Sequence, residues 1–170
     1  LMMCKLKTNN YTTNSQNILS KYKRLWIEGI ETKHYQKLDQ LQPNIIDALN
    51  RSLERHELVI VTLRRNRKRL LAQLRDLNII HYFVGILNSG EDTQPRWRIK
   101  YNLITDYLND RNEDKHIIIG DSETDILAGK KLFFNTIAIS NGIRNNKILQ
   151  KSNPDYIFSS ISQFYKNGDL

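Results

Sequence analysis

Asp121 and Asp125 follow the apolar run His116-Ile117-Ile118-Ile119 through Gly120. Four residues apart, they lie on one side of a helix that begins at Ser122. Two carboxylates so placed present hard oxygens suited to Mg²⁺, which takes one or two carboxylates, several waters and substrate phosphate oxygens. The structural alternative is a helix start, where an Asp caps orphan N–H groups or favours the positive end of the helix dipole. Thr62 closes a second apolar run, Leu58-Val59-Ile60-Val61, with a hydroxyl. The backbone N–H groups of Leu63 and Arg64 come next, and such a set can hold phosphate oxygens as a helix N-terminus does. Threonine is equally a good strand residue, so singly it reads as structural. Lys100 lies after a polar loop, at or near a helix start where the dipole disfavours a cation. Its functional reading is an ammonium that neutralises crowded carboxylate and phosphate charge; its ordinary reading is a surface lysine.

These residues are positioned by alternating strands and helices. Pro43 followed by Ile45, Ile46, Leu49 and Leu53 predicts a helix with one buried stripe. The run from Leu58 to Thr62 predicts a strand buried on both faces, as parallel strands are. Leu70, Leu71, Leu74 and Leu77 share one face of a basic helix from about Asn66 to Leu77, and Tyr82 to Leu87 reads as the next strand. A polar loop from Asn88 to Pro95 precedes a helix marked by Leu103, Ile104, Tyr107 and Leu108. His116 to Ile119 is a strand, Ile126, Leu127 and Leu132 mark a helix whose Ala128-Gly129 permits close packing on a sheet, and Thr136–Ile139 and Tyr156–Phe158 are short strands. The alternation predicts an α/β fold, a Rossmann-like parallel sheet with helices on both faces. In such sheets the ligand sits beyond the carboxyl ends of the strands, where Thr62 and Asp121 fall. Ahead of this region, Thr8 to Ser15 reads as a loop. A helix to about Lys37 follows, with Ile18, Tyr22, Leu25, Trp26 and Ile30 on one face.

The chain has 170 residues, 39% hydrophobic and 26% charged, enough for one domain with a proper core. Its lone Cys4 can form neither an internal disulfide nor a zinc site, which predicts a reducing, cytoplasmic setting. No apolar run approaches the ~20 residues needed to span a bilayer, so no membrane association is expected. Most of the net charge of +8 is concentrated between Arg51 and Arg75, in Arg64, Arg65, Arg67, Lys68 and Arg69 above all. A local positive field of this kind serves nucleic acids, membranes and phosphorylated small molecules alike. No aromatic residue interleaves the cluster, as single-strand binders require, so nucleic acid ranks low as a partner.

Thr62 closing its strand, Lys100 after the next loop and Gly120-Asp121-x-x-x-Asp125 at the following strand, in that order, resemble three of the four motifs of the haloacid dehalogenase superfamily of phosphatases. Ile126-Leu127-Ala128-Gly129-Lys130, Thr136-Ile137-Ala138-Ile139, Asn141-Gly142-Ile143-Arg144 and Pro154-Asp155-Tyr156-Ile157-Phe158 extend the similarity over about residues 43–164. The resemblance implies Mg²⁺-dependent hydrolysis of a small phosphorylated metabolite, phosphoglycolate or a nucleotide among the compatible classes. It implies an aspartate nucleophile that becomes an aspartyl-phosphate, and a second aspartate two positions on as acid and base. By position, Thr62 would bind the transferring phosphoryl group with the N–H groups of Leu63 and Arg64. Lys100 would stabilise nucleophile and intermediate, and Asp121 with Asp125 would hold the metal directly or through water. Arg64 and Arg65, which the family pattern does not require, would flank the pocket and attract an anionic substrate.

The nucleophile motif, Asp-x-Asp at the end of a first strand, should precede Thr62, yet only Asp39 and Asp47 do, and neither follows an apolar strand. One expectation is truncation. Gln16 to Leu38 resembles the latter part of a helical cap inserted after that strand, making residues 1–42 a cap remnant and 43–170 a core lacking its first strand. The rival expectation aligns Leu1 to Lys7 with the strand, placing Lys5 and Lys7 where the aspartates belong and giving an inactive binding or regulatory relative. Lysine can neither accept the phosphoryl group nor bind Mg²⁺ as a carboxylate does. In the family the first strand lies between the Thr62 and Asp121 strands, so its absence would split the sheet. The sequence carries no sign of oligomeric state.

Overall fold

The computed structural model describes residues 12–90, 94–109 and 115–167. Positions 1–7, to which the rival alignment assigns a strand, lie outside the described residues. The chain divides into two units, 1–39 and 40–170.

In the first unit α1 spans Thr12–Ile30 and a short α2 spans Lys33–Gln36. Helix therefore includes Thr12 to Ser15, where a loop was expected, and the single helix to Lys37 is instead broken at Glu31-Thr32. At the break Thr32 donates both its backbone N–H and its hydroxyl to the Gly29 carbonyl, ending the α-helical ladder. Ile18, Leu19, Tyr22 and Leu25 are exposed on α1.

The second unit carries α3 (Ile45–Leu53), β1 (Val59–Thr62), α4 (Arg67–Asp76), a 3₁₀ turn (Ile80–Tyr82), β2 (Gly85–Asn88), α5 (Arg96–Leu108) and β3 (Ile117–Gly120). It continues through α6 (Glu123–Lys131), β4 (Asn135–Ile139), α7 (Asn146–Lys151), β5 (Tyr156–Phe158) and α8 (Ile161–Asn167). All strand pairs are parallel, as the alternation predicts. They form two sheets, β1-β2 and β3-β4-β5. Among the described residues β1 and β3 each pair on one edge only.

Helices cover both faces. Leu70 and Leu74 of α4, with Ile79 just ahead of the 3₁₀ turn and Tyr82 within it, pack against Ile60 of β1, Ile86 of β2 and Leu49 of α3. Alternation along β4 divides the second sheet's core: Ala138 faces Ile126 of α6 and Leu149 of α7, while Ile137 and Ile139 face Phe164 of α8. Two helix pairs link the sheets, α5 with α6 on one face and α3 with α8 on the other. In the second pair Ser52, buried on α3, donates to the Ala48 carbonyl and also bonds the Tyr165 hydroxyl. Gly129 lets α6 settle against Ile118 and Thr136, the close packing its sequence predicts.

Several expectations change in detail. Pro43 does not open α3; Asn44 intervenes in the left-handed conformation (φ 60°), and the helix begins at Ile45. Its buried stripe contains Ala48 and Ser52, leaving Ile46 and Leu53 exposed. The strand expected from Tyr82 begins at Gly85, because Ile79 and Tyr82 are drawn into the core by the 3₁₀ turn. Residues of β1 and β3 are half-buried rather than enclosed, unlike β4, which has a strand on either side.

Candidate active site

Thr62 and Gly120 end their strands, so the residues after them share the carboxyl-end position predicted for chemistry. The Thr62 hydroxyl accepts from the Arg64 N–H at 3.3 Å, curling the chain just beyond β1. The curl is pinned from β2. Asn88, the register partner of Thr62, donates to the Arg64 carbonyl at 3.2 Å. Arg67 in turn donates to Asn88 Oδ1 at 2.8 Å and to the Ile86 carbonyl at 2.7 Å. Arg64 directs its guanidinium to Gln73 of α4. Asn66 caps α4 by accepting the Arg69 N–H, so the basic cluster belongs to the loop and first turn of this helix.

Lys100 lies in the second turn of α5, not at its first residue. Its ammonium forms an ion pair with Oδ1 of Asp125, and the two side chains are 12% and 9% exposed. The other Asp125 oxygen accepts the Ser122 N–H at 3.2 Å and the Ser122 hydroxyl at 2.6 Å. Both oxygens of Asp125 are thus engaged, and the carboxylate serves the start of α6 as well as Lys100. No glycine among the described residues has positive φ. Gly120 acts through space rather than an unusual turn, since a Cβ there would overlap the Asp125 carboxylate.

Asp121 presents its carboxylate differently. Oδ2 accepts the Ile143 N–H at 2.9 Å, and Oδ1 takes no hydrogen bond among the described residues. The structure thus brings Lys100, Asp121 and Asp125 to one strand end, while no hydrogen bond joins Thr62 to them. Among the described residues no cluster of three or more His, Cys, Asp or Glu could enclose a metal. One carboxylate oxygen at a strand end does fit Mg²⁺ in its sparse mode, with waters and substrate oxygens completing the shell. Asp121 would be the direct ligand and Asp125 a contributor through water.

Sequence reasoning placed Arg67 in the basic cluster, Ser122 at a helix start and Asn141–Arg144 within the family resemblance, but not the contacts that Asn88, Arg67, Ser122 and Asn141–Arg144 make around Thr62, Asp121 and Asp125. Glu123 pairs with Arg144 at 2.8 Å. Burial pushes the Glu123 carboxyl up, but the Arg144 hydrogen bond, its own backbone N–H and the Arg144 charge together hold it below the ordinary range.

This arrangement, parallel strands flanked by helices with a carboxylate and a lysine meeting beyond a strand's carboxyl end, defines a Rossmann-like α/β core. The family model for haloacid dehalogenase-like hydrolases matches residues 3–139, and the chain belongs to that family. A haloacid dehalogenase-like hydrolase from Streptococcus pneumoniae is similar at 28% identity and TM-score 0.64, over 75% of this chain and 59% of that one. A predicted phosphoglycolate phosphatase from Haemophilus somnus is similar at 23% identity and TM-score 0.61, over 75% and 56%. A magnesium-bound HAD-hydrolase from Bacillus subtilis matches at 23% identity and TM-score 0.62, over 77% and 57%. The chain thus spans less than two thirds of each of these three proteins. Among curated proteins none matches the sequence. No helix among the described residues is long and apolar enough to cross a membrane.

Proposed function

We propose that this chain carries most of the core of a Mg²⁺-dependent phosphatase acting on a small phosphorylated metabolite in the cytoplasm. The observation that carries the reading is the largely buried Lys100–Asp125 pair beside Asp121, whose carboxylate keeps one oxygen without a hydrogen bond among the described residues. Thr62 and the Leu63 N–H would receive the phosphoryl oxygens, with the Arg64 N–H joining them by giving up its 3.3 Å bond to the Thr62 hydroxyl. Lys100 would balance the negative charge that accumulates when a dianionic substrate enters beside carboxylates. Bound Mg²⁺ would neutralise phosphate charge and withdraw electron density from phosphorus. Asn88 and Arg67 hold the Thr62 loop in shape. Phosphoglycolate is among the compatible substrates, supported by likeness to the Haemophilus somnus protein.

The acceptor aspartate would come from a strand between β1 and β3. Phosphate release from p-nitrophenyl phosphate and a panel of phosphate esters tests this, for the chain alone and with an added apolar strand ending in Asp-x-Asp. Turnover that requires both the strand and Mg²⁺ is the expected result.

A second reading, phosphate binding without turnover, is favoured by one observation: among the described residues no aspartate ends a strand ahead of β1. It expects phosphate affinity through Thr62 with no turnover in either form. Steeply salt-dependent DNA or RNA binding would instead redirect the Arg64–Arg69 cluster to nucleic acid.

A further inference from the structure

The segment Asn141–Arg144, between β4 and α7, is exposed at every residue yet closely tied down. Asn141 exchanges amide hydrogen bonds with Gln42 at 3.0 and 3.4 Å. Ile143 donates its N–H to Oδ2 of Asp121 at 2.9 Å. Arg144 reaches Glu123, in the first turn of α6, at 2.8 Å. Between these ties Gly142 lies so near Asp121 that an added Cβ would overlap its Oδ2, Cβ and Cγ atoms. The Ile143 side chain itself is 76% exposed, so this residue is held by its backbone rather than by burial.

An aspartate at a strand end has a short side chain that can turn either oxygen outward. A backbone N–H on one oxygen and a close wall beside the carboxylate remove that freedom, and such outer contacts set how a ligand meets its metal. We infer that the Asn141–Arg144 strap positions Asp121 as a single-oxygen cation ligand, with Gly142 and the Ile143 N–H as its positioning groups. The inference rests on the assignment of Asp121 to Mg²⁺ made above. Arg144 and Asn141 anchor the two ends of the strap, so that neither positioning group has to be held by apolar packing.

The test is metal affinity, with Mn²⁺ followed by electron paramagnetic resonance and Mg²⁺ by calorimetry. Gly142→Ala adds bulk against Asp121, and Ile143→Pro deletes the donor; Ile143→Ala keeps it. Each of the first two is expected to weaken Mn²⁺ binding about tenfold, the order of one hydrogen bond to a charged group. Ile143→Ala should bind as the unaltered chain does, with circular dichroism unchanged throughout. Unaltered affinity in both Gly142→Ala and Ile143→Pro overturns the strap alone. Absence of Mn²⁺ binding in the unaltered chain, or its survival in Asp121→Asn, overturns the metal assignment and the strap with it. Should the variants unfold, ¹⁵N spectra of the unaltered chain decide: the Ile143 amide must shift as Mg²⁺ is added, and a stationary amide overturns the inference.

Discussion

Lys100 of α5 and Asp125 of α6 form an ion pair that joins the two sheets, because α5 packs on β1 and β2 while α6 packs on β3 and β4. Its partners are 25 residues apart in sequence. Asp125 also holds Ser122 at the start of α6, so one carboxylate fixes both the helix entry and the lysine.

Removing one partner leaves the other charge largely out of water. Such losses cost about 3–5 kcal/mol where a buried pair is broken. Lys100→Met should therefore destabilise the chain by an amount near that range. Asp125→Asn should cost a similar amount, since it also weakens the Ser122 contacts. The double variant should lose less than the sum. Urea unfolding of the four proteins measures this; strict additivity would show the pair to be energetically idle.

In the version carrying an acceptor strand, Asp121→Asn should lower Mg²⁺-dependent turnover at least about a hundredfold, the scale of one lost electrostatic stabiliser. Thr62→Val removes a hydroxyl but keeps the strand shape, and should cost about tenfold or more in turnover. Steady-state kinetics over a Mg²⁺ series separates them: only Asp121→Asn should shift the half-saturating metal concentration.

Asp155 gives a pH signature away from the site. The Thr136 hydroxyl and then its N–H, each at 2.7 Å, hold the carboxyl below its usual range against a smaller opposing effect of burial, with Lys130 adding to the lowering. A depressed folded value means that the carboxylate stabilises the fold fully above the unfolded pKa, about 3.9, and loses that contribution as pH falls through the folded value. Asp155→Asn should therefore be less stable than the unaltered chain at pH 7, with the gap closing below about pH 4. Thermal unfolding from pH 7 to pH 3 checks it; a gap that widens in acid contradicts the assignment.

The strands β1, β3, β4 and β5 were legible to within about a residue because each is an apolar run stopped by polar residues or glycine. Ser122 opens α6 as the spacing predicts. What the sequence concealed depends on distant partners. Ser52 looks like an outward position of α3, but Tyr165, 113 residues away, gives its hydroxyl a buried partner. Tyr82 reads as the start of a strand because its burial in a 3₁₀ turn leaves the same apolar signature. Thr12 to Ser15 lack apolar periodicity, the signal by which a helix is read, and were expected as loop. Of the site, Thr62, Lys100, Asp121 and Asp125 could be found by type and spacing. The contacts of Asn88, Gly142 and Ile143 could not, since they depend on a side-chain amide, a close approach and a backbone N–H that meet partners 21 to 24 residues away.

The divided sheet leads to the last prediction. Parallel strands are normally paired on both edges and covered on both faces. Among the described residues β1 and β3 are half-buried and each is paired on one edge, and a strand edge left unpaired while partly buried exposes backbone N–H and C=O groups to incomplete hydrogen bonding. An unmade buried bond costs about 1–3 kcal/mol, against a total stability of only ~5–15 kcal/mol for a domain. A few such groups are enough to place the thermal midpoint of the monomer below about 50 °C, at the low end for domains of this kind. Amide exchange should be slowest in β4, which has a neighbour on each side, and faster in β1 and β3. Adding an apolar strand ahead of residue 12 should raise the midpoint and slow exchange at Val59–Thr62 and Ile117–Gly120 together. A cooperative midpoint well above 50 °C for the unextended monomer, with β1 and β3 exchanging as slowly as β4, would mean that both edges are already paired.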